Sequence, residues 1–362
     1  MITAPAPAPQ PTTDRDAPIE PNVEADWRRL WRNAIRDPRE LLTRLGLTEA
    51  AARLSETADR DFPLRVPHGF VARMRKGDPN DPLLRQVLPL ADEDQPLPGF
   101  AIDAVGDLAA RSARGVLHKY QGRALLVATG SCAIHCRYCF RRHFPYAEET
   151  AAADDWRAAI DYLRNDPSIS ELLLSGGDPL ALATGKLTAL TEQLLDVGHL
   201  RRLRIHTRLP VVLPERIDDP LLAWLADLPW ASTIVLHVNH GNEIDPSVAR
   251  ACARLRAAGI TLLNQSVLLR GVNDDETTLA DLSERLFDIG VLPYYLHQLD
   301  RVAGAGHFEV DDGHALDLHQ RLRSRLPGYL LPRLVREVAG ADAKQPLERP
   351  TLSIGRAFVL KT

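Results

Sequence analysis

The feature that most constrains this chain is a recurrence of short apolar runs, most of them about thirty residues apart, with helical patterns between them. The runs are ALLVA (124–128), ELLLS (171–175), RLRIHT (202–207), STIVLHV (232–238), TLLNQSVLL (261–269) and LPYYLHQ (292–298). The helical patterns lie near 151–165, 186–198, 215–227, 246–258 and 276–289. Strands that are apolar on both faces and separated by helices make βαβ units, which join into a parallel sheet with right-handed crossovers. Six such units predict an α/β fold, a partial (β/α)6 barrel. In that architecture chemistry gathers where the strands end. The runs do end in polar residues: Cys132 follows the first, Ser175, Gly176, Gly177 and Asp178 the second, and His206, Thr207 and Arg208 the third. His237, Asn239 and His240 follow on the fourth, Gln265 lies in the fifth, and Asp300 closes the sixth.

Composition narrows the function class. The 362 residues carry a formal net charge of −4, without the basic excess that gripping phosphate backbones requires. No apolar run approaches the ~20 residues of a membrane span, and the N-terminus lacks a signal-peptide pattern. The expectation is a cytoplasmic protein that binds neither nucleic acid nor membrane. Residues 1–23 alternate Ala and Pro and read as a disordered tail. Residues 24–100 read as a helical, loop-rich N-terminal region whose turn-rich part, 62–98, forms an arm across the main domain. Residues 101–330 carry the barrel and 331–362 a C-terminal segment.

Three of the four cysteines stand in one C-x3-C-x2-C stretch, Cys132, Cys136 and Cys139, just past the first strand. Clustered thiols in such a chain are ligands or redox groups rather than a disulfide framework. The lone Cys252, in a helical pattern, reads as a small buried hydrophobe. A structural zinc needs four closed ligands, and only His135 or His143 could complete the set nearby. A [4Fe-4S] cluster on three thiolates instead keeps one iron free for another ligand. The spacing, with Tyr138 before the last cysteine, resembles the radical S-adenosylmethionine (SAM) signature. In that resemblance SGGDP at the end of the second strand is the glycine-rich segment that holds the methionine amino group of SAM.

A narrower resemblance covers roughly residues 100–350. HKYQGRALLVATGSCAIHCRYCFRRHF, LLLSGGDPL, TRLPVVLPERI, LNQSVLLRGVND, PYYLHQLD and VREVAGADAK together are similar to the lysine 2,3-aminomutase family. Members use a [4Fe-4S] cluster, SAM and pyridoxal 5'-phosphate (PLP), and move the amino group of lysine from carbon 2 to carbon 3. The resemblance implies an isomerase with Cys132, Cys136 and Cys139 on the cluster and PLP carried on the ε-amine of Lys344, one of only five lysines. It places Arg141 on the substrate α-carboxylate and Asp300 on the substrate ε-ammonium, with Glu337 where the family has a second aspartate. Two carboxylates at the far end of a pocket select a cationic side chain and disfavour glutamate as substrate. Lys119, Tyr120 and Arg123, ahead of the first strand, match PLP contacts. Ser175, Gly176, Gly177, Asp178, His237 and Gln265 match SAM contacts.

Only 18 residues follow Lys344, whereas the clostridial type has a long C-terminal extension. The arm FPLRVPHGFVARMRKGDPNDPLLRQVLP resembles the shorter bacterial branch, the elongation factor P (R)-β-lysylation proteins. This implies that (R)-β-lysine is made for attachment to elongation factor P by a separate lysine ligase. A cellular electron donor must reduce the cluster, and the resemblance is compatible with a homo-oligomer. Two rival readings share parts of the pattern. A radical SAM enzyme acting on another amino acid, a protein or RNA would need no PLP, and a zinc module would share only the cysteines.

Overall fold

A computed structural model describes residues 23–151 and 156–349. The Ala/Pro-rich tail, apart from Val23, lies outside the described residues. Ten strands form one sheet in strict chain order. They are β1 (Arg111–Ala113), β2 (Val116–Tyr120), β3 (Arg123–Thr129), β4 (Glu171–Gly176), β5 (Arg202–Thr207), β6 (Ala231–Leu236), β7 (Thr261–Val267), β8 (Leu292–His297), β9 (Arg333–Arg336) and β10 (Gln345–Pro346).

From β3 to β9 every neighbouring pair is parallel, and a helix-bearing crossover separates each pair. The helices Arg157–Asn165, Thr184–Leu194, Asp219–Ala226, Pro246–Ala257, Glu276–Asp288 and Asp312–Arg325 supply those crossovers. Antiparallel β1 and β2 flank the start of this array and antiparallel β10 its end. β1 and β10 are its two edges, so the barrel is partial. All six apolar runs are the central strands, and five of the crossover helices fall on the helical patterns, with residues 152–155 of the first outside the described set.

Local chemistry explains where the helices begin. Asp218, Asp245 and Asp275 accept hydrogen bonds from backbone N–H groups of the first turn (Leu221 N, 2.9 Å; Ser247 N, 2.9 Å; Thr278 N, 2.9 Å). Pro220 and Pro246 sit in the first turn, where a missing N–H costs nothing. The alternation along β7 puts Leu262 and Asn264 in the interior behind the strand, while Gln265 is half-buried and turned to the barrel lumen side with His237.

The N-terminal region shares the barrel's core. Trp27, Leu41, Leu42, Phe70 and Leu84 belong to the same apolar cluster as Leu126, Leu174, Leu203 and Ile205 on the strands. Cys252 lies fully buried in that cluster, where burial pushes its thiol up to about 12. The region also grips the cysteine loop. The fully buried Arg137 pairs with Glu93 through two bonds (2.8 and 2.6 Å) and donates to Ala58 O (3.0 Å). Arg142 reaches the same carboxylate at 2.8 Å. His135 N donates to Arg65 O and its ring stacks on Phe62, with ring centroids 4.8 Å apart.

Four strands were not foreseen from sequence: β1, β2, β9 and β10. Lys119 and Tyr120, expected ahead of the first strand, lie on a strand of their own, β2, and Arg123 does not precede β3 but opens it. β9 adds a seventh parallel strand, and Glu337 is the residue immediately after it.

Candidate active site

The carboxyl ends of β3 to β9 surround one polar interior. Cys132, Cys136 and Cys139 occupy the loop after β3; Ser175 and Gly176 end β4, and Gly177 and Asp178 follow it directly. The two glycines are required by the close approach of these strand ends. Gly176 has φ +108°, and a Cβ on it would lie 2.9 Å from Thr129 O. A Cβ on Gly177 would meet Ser131 O at 2.6 Å. The glycine turn is thus pressed against the backbone that begins the cysteine loop. Asp178 is committed elsewhere: its two oxygens accept from Thr207 Oγ1 (2.6 Å), Arg208 N (2.8 Å), Leu180 N (3.1 Å) and Leu209 N (3.1 Å). Its side chain ties the end of β4 to the end of β5.

Arg141 is buried and held from two sides. Nε donates to Asp107 Oδ2 at 2.6 Å and Nη1 to Ser175 Oγ at 3.1 Å. The other Asp107 oxygen lies 2.6 Å from Lys119 Nζ. Burial works against the Asp107 carboxylate, but the Arg141 and Lys119 cations outweigh it and hold its pKa below the ordinary value. Lys119 also donates to Val105 O (2.7 Å), and the Arg123 guanidinium covers the Tyr120 ring at 4.6 Å.

The far wall is acidic. Glu337 Oε2 accepts from Lys344 Nζ at 2.6 Å, and Oε1 accepts from the Tyr120 hydroxyl. Lys119 Nζ stands 3.9 Å from the same carboxylate. Burial opposes its ionisation, and Lys344 with these donors keeps Glu337 below the usual carboxylate range. Asp300 shares the electrostatic neighbourhood but not the partners. Its Oδ1 is buried without a hydrogen-bond partner among the described residues. Burial and then the Glu337 and Asp107 charges, offset in part by Lys344 and Lys119, push its carboxyl up to about 7.

Between the cysteine loop and the acidic wall lie three neutral imidazoles. His237 Nε2 meets Gln265 Nε2 at 3.0 Å, so these two residues, picked separately from sequence, are brought together. Burial first, then the Arg208, Arg141 and Lys344 cations, lower His237 to about 3. His206 packs edge-on against His237 with centroids 5.9 Å apart, and His297 lies in the same interior; burial keeps both well below the usual imidazole range. Sequence reasoning did not select Asp107 or His297, and it marked Arg208 only by its strand-end position, with no role. Asp107 sits in a turn-rich stretch with no periodic signal. His297 closes an apolar run, and only its strand-end position marks it.

Comparison with known proteins decides the family. The Radical SAM superfamily model matches residues 126–282. An L-lysine 2,3-aminomutase of Escherichia coli is 47% identical over 89% of this chain and 94% of that protein. One of Haemophilus influenzae is 46% identical over 91% and 98%. One of Clostridium subterminale is 34% identical over 89% and 77%. The chain belongs to the radical SAM lysine 2,3-aminomutase family. It is accordingly an isomerase, and the radical SAM family implies a [4Fe-4S] cluster and SAM.

The donor set of this aminomutase, three free thiols in one loop, fits a cluster that takes a thiolate on each of three irons. Among the described residues no three His, Cys, Asp or Glu side chains converge as the ligands of one metal ion would. The cysteines nevertheless share one neighbourhood. Burial, then Asp178 and the other two sulfurs, push the Cys132 thiol well up, and burial with Cys136 pushes Cys139 up to about 11. Coordination reverses that preference, since a ligated thiol is deprotonated. Among the described residues no helix is long and apolar enough to cross a membrane.

Proposed function

We propose that the enzyme converts L-α-lysine to (R)-β-lysine, with PLP carried on Lys344 and SAM held by the cluster of the cysteine loop and by the glycine turn. The observation that carries the lysine assignment is the contact of Lys344 Nζ with Glu337 at 2.6 Å in the electrostatic neighbourhood of Asp300, whose buried Oδ1 has no partner among the described residues. That Glu337 already accepts a lysine ε-ammonium supports a cationic substrate side chain at this wall. A glutamate side chain would meet two like charges there.

In this reading Cys132, Cys136 and Cys139 hold the cluster, which with SAM supplies the hydrogen-abstracting radical. Backbone at Ser175, Gly176 and Gly177 would hold SAM, with His237 and Gln265 as further contacts, and the Asp178 side chain fixes the turn. Lys119, Tyr120 and Arg123 border PLP, which when bound delocalises the unpaired electron. Arg141, oriented by Asp107, presents a planar guanidinium to the substrate α-carboxylate. Asp300 and Glu337 fix the opposite end, so the reacting carbons are held at a set distance between two charged anchors. Burial of the three imidazoles in neutral form keeps added cations away from the migrating amine.

The expected setting is the cytoplasm, with a cellular electron donor, and the product serves modification of elongation factor P by a separate lysine ligase. The resemblance of the N-terminal arm to the shorter bacterial branch supports that use. The test is an anaerobic assay of the reconstituted protein with lysine, SAM, PLP and dithionite, resolving α- from β-lysine and its enantiomers. Wild type forms (R)-β-lysine, Cys136→Ala and Lys344→Ala do not, and the Schiff-base absorbance is lost only in Lys344→Ala. Cleavage of SAM without β-lysine, unchanged in Lys344→Ala, would refute the PLP and substrate assignments. Loss of β-lysyl mass from elongation factor P in a strain lacking the gene tests the product's destination.

A further inference from the structure

Arg208 follows β5 at its carboxyl end and is 5% exposed. Its Nη1 donates to Cys136 Sγ at 2.7 Å. Its Nη2 donates to Gln86 Oε1 at 2.7 Å and to Glu243 Oε2 at 2.8 Å. The rings of Phe70 and Tyr138 flank the guanidinium at 5.4 and 5.8 Å. Nε is buried and has no hydrogen-bond partner among the described residues.

The anchors are themselves anchored. Glu243 Oε1 accepts from Gln86 Nε2 (3.1 Å), Asn239 N (2.9 Å) and His240 N (3.1 Å). Gln86 Oε1 also accepts from Asn239 Nδ2 at 3.0 Å. Three separate parts of the chain therefore fix one guanidinium: the N-terminal region, the cysteine loop and the loop after β6. A buried arginine already paired with a carboxylate needs no sulfur partner for charge balance. A neutral thiol is a weak acceptor, whereas a metal-bound thiolate makes a charge-assisted bond.

We propose that Arg208 is a positioning residue that tunes the cluster, its fixed charge and N–H on the Cys136 sulfur raising the reduction potential. One-electron reduction breaks no bond and adds negative charge to the cluster and its sulfurs. A fixed cationic donor stabilises that reduced form more than the oxidised one. Gln86 and Glu243 keep the donor aimed, which links the N-terminal region to the electronics of the cluster. The inference rests on the family's cluster and is independent of lysine and PLP.

The experiment is an EPR-monitored redox titration without lysine, with iron and sulfide content measured on the same samples, for wild type, Arg208→Gln, Arg208→Lys and Gln86→Leu. Arg208→Gln is expected to retain its iron and to shift the one-electron equilibrium about tenfold toward the oxidised cluster, ~59 mV more negative. Arg208→Lys falls between it and wild type, and the g-values of the reduced state change in both. A fully loaded Arg208→Gln with the wild-type potential overturns the proposal. If that variant does not load, Arg208→Lys and Gln86→Leu decide: a negative shift in either supports it, and wild-type potentials in both overturn it. Failure of all three to load assigns Arg208 to folding of the loop and also overturns the tuning role. Absence of lysine turnover in wild type would refute the proposed substrate and leave this titration readable.

Discussion

Arg141 Nε donates to Asp107 Oδ2 across 2.6 Å with both side chains buried. The same carboxylate holds Lys119, so one anion from a loop ahead of the barrel orients two cations of the site. Asp107→Asn leaves both cations without it. The expected result is a KM for lysine raised about tenfold with a smaller change in kcat, and stability lowered on the order of 3 kcal/mol. Steady-state kinetics and denaturant unfolding check the two parts separately.

Glu337 carries the charge of the acidic wall that Lys344 and Tyr120 contact. Glu337→Gln removes the charge that Lys344 now contacts and is expected to cost about tenfold or more in discrimination between lysine and an uncharged isostere. Glu337→Asp keeps the charge and should retain that discrimination. Competition binding of lysine against norleucine measures it.

Asp300 gives the enzyme a pH dependence of calculable sign. Its carboxyl is pushed up to about 7 by burial, then by Glu337 and Asp107, against Lys344 and Lys119. The ordinary unfolded value is ~3.9, so between the two values only the folded state holds the proton. Stability from this group therefore falls as pH rises through that window. Binding of an ammonium runs the other way, because it needs the carboxylate. KM for lysine is expected to fall from pH 6 to pH 8, and Asp300→Asn should flatten the profile.

Gly177→Ala places a Cβ 2.6 Å from Ser131 O and 2.8 Å from Gly130 C. Backbone cannot swing aside as a side-chain end can, so the glycine turn and the cysteine loop must separate. Loss of ~1–3 kcal/mol of stability and weaker SAM binding are expected, read by calorimetry and by iron per chain. Gly185→Ala is the control: nothing stands within 4 Å of its Cβ, and it lies in a helix.

The strands were easy to find in the sequence because a parallel strand buried on both faces is a continuous apolar run. β2 and β9 escaped for the opposite reason. β2 carries His118, Lys119 and Tyr120, and β9 is the four-residue RLVR; each pairs at the flank of the array, where no apolar run is demanded. The cysteine spacing, the glycine turn and Lys344 were visible as motifs because their chemistry requires particular residue types. Asp107 was not, because an aspartate in a turn-rich stretch looks the same whether it faces solvent or Arg141.

The sequence by itself determined the repeating βα architecture, the cysteine loop after the first parallel strand and the lysine near the C-terminus. These follow from local periodicity and from residue types that few other chemistries need. Only the tertiary structure decided which charges meet: Asp107 with Arg141, Glu337 with Lys344, and Arg208 with Cys136, Gln86 and Glu243. Those pairs join residues up to 122 positions apart. Coulombic and hydrogen-bond partners are chosen by the packing of whole strands and loops, and no spacing along the chain encodes them.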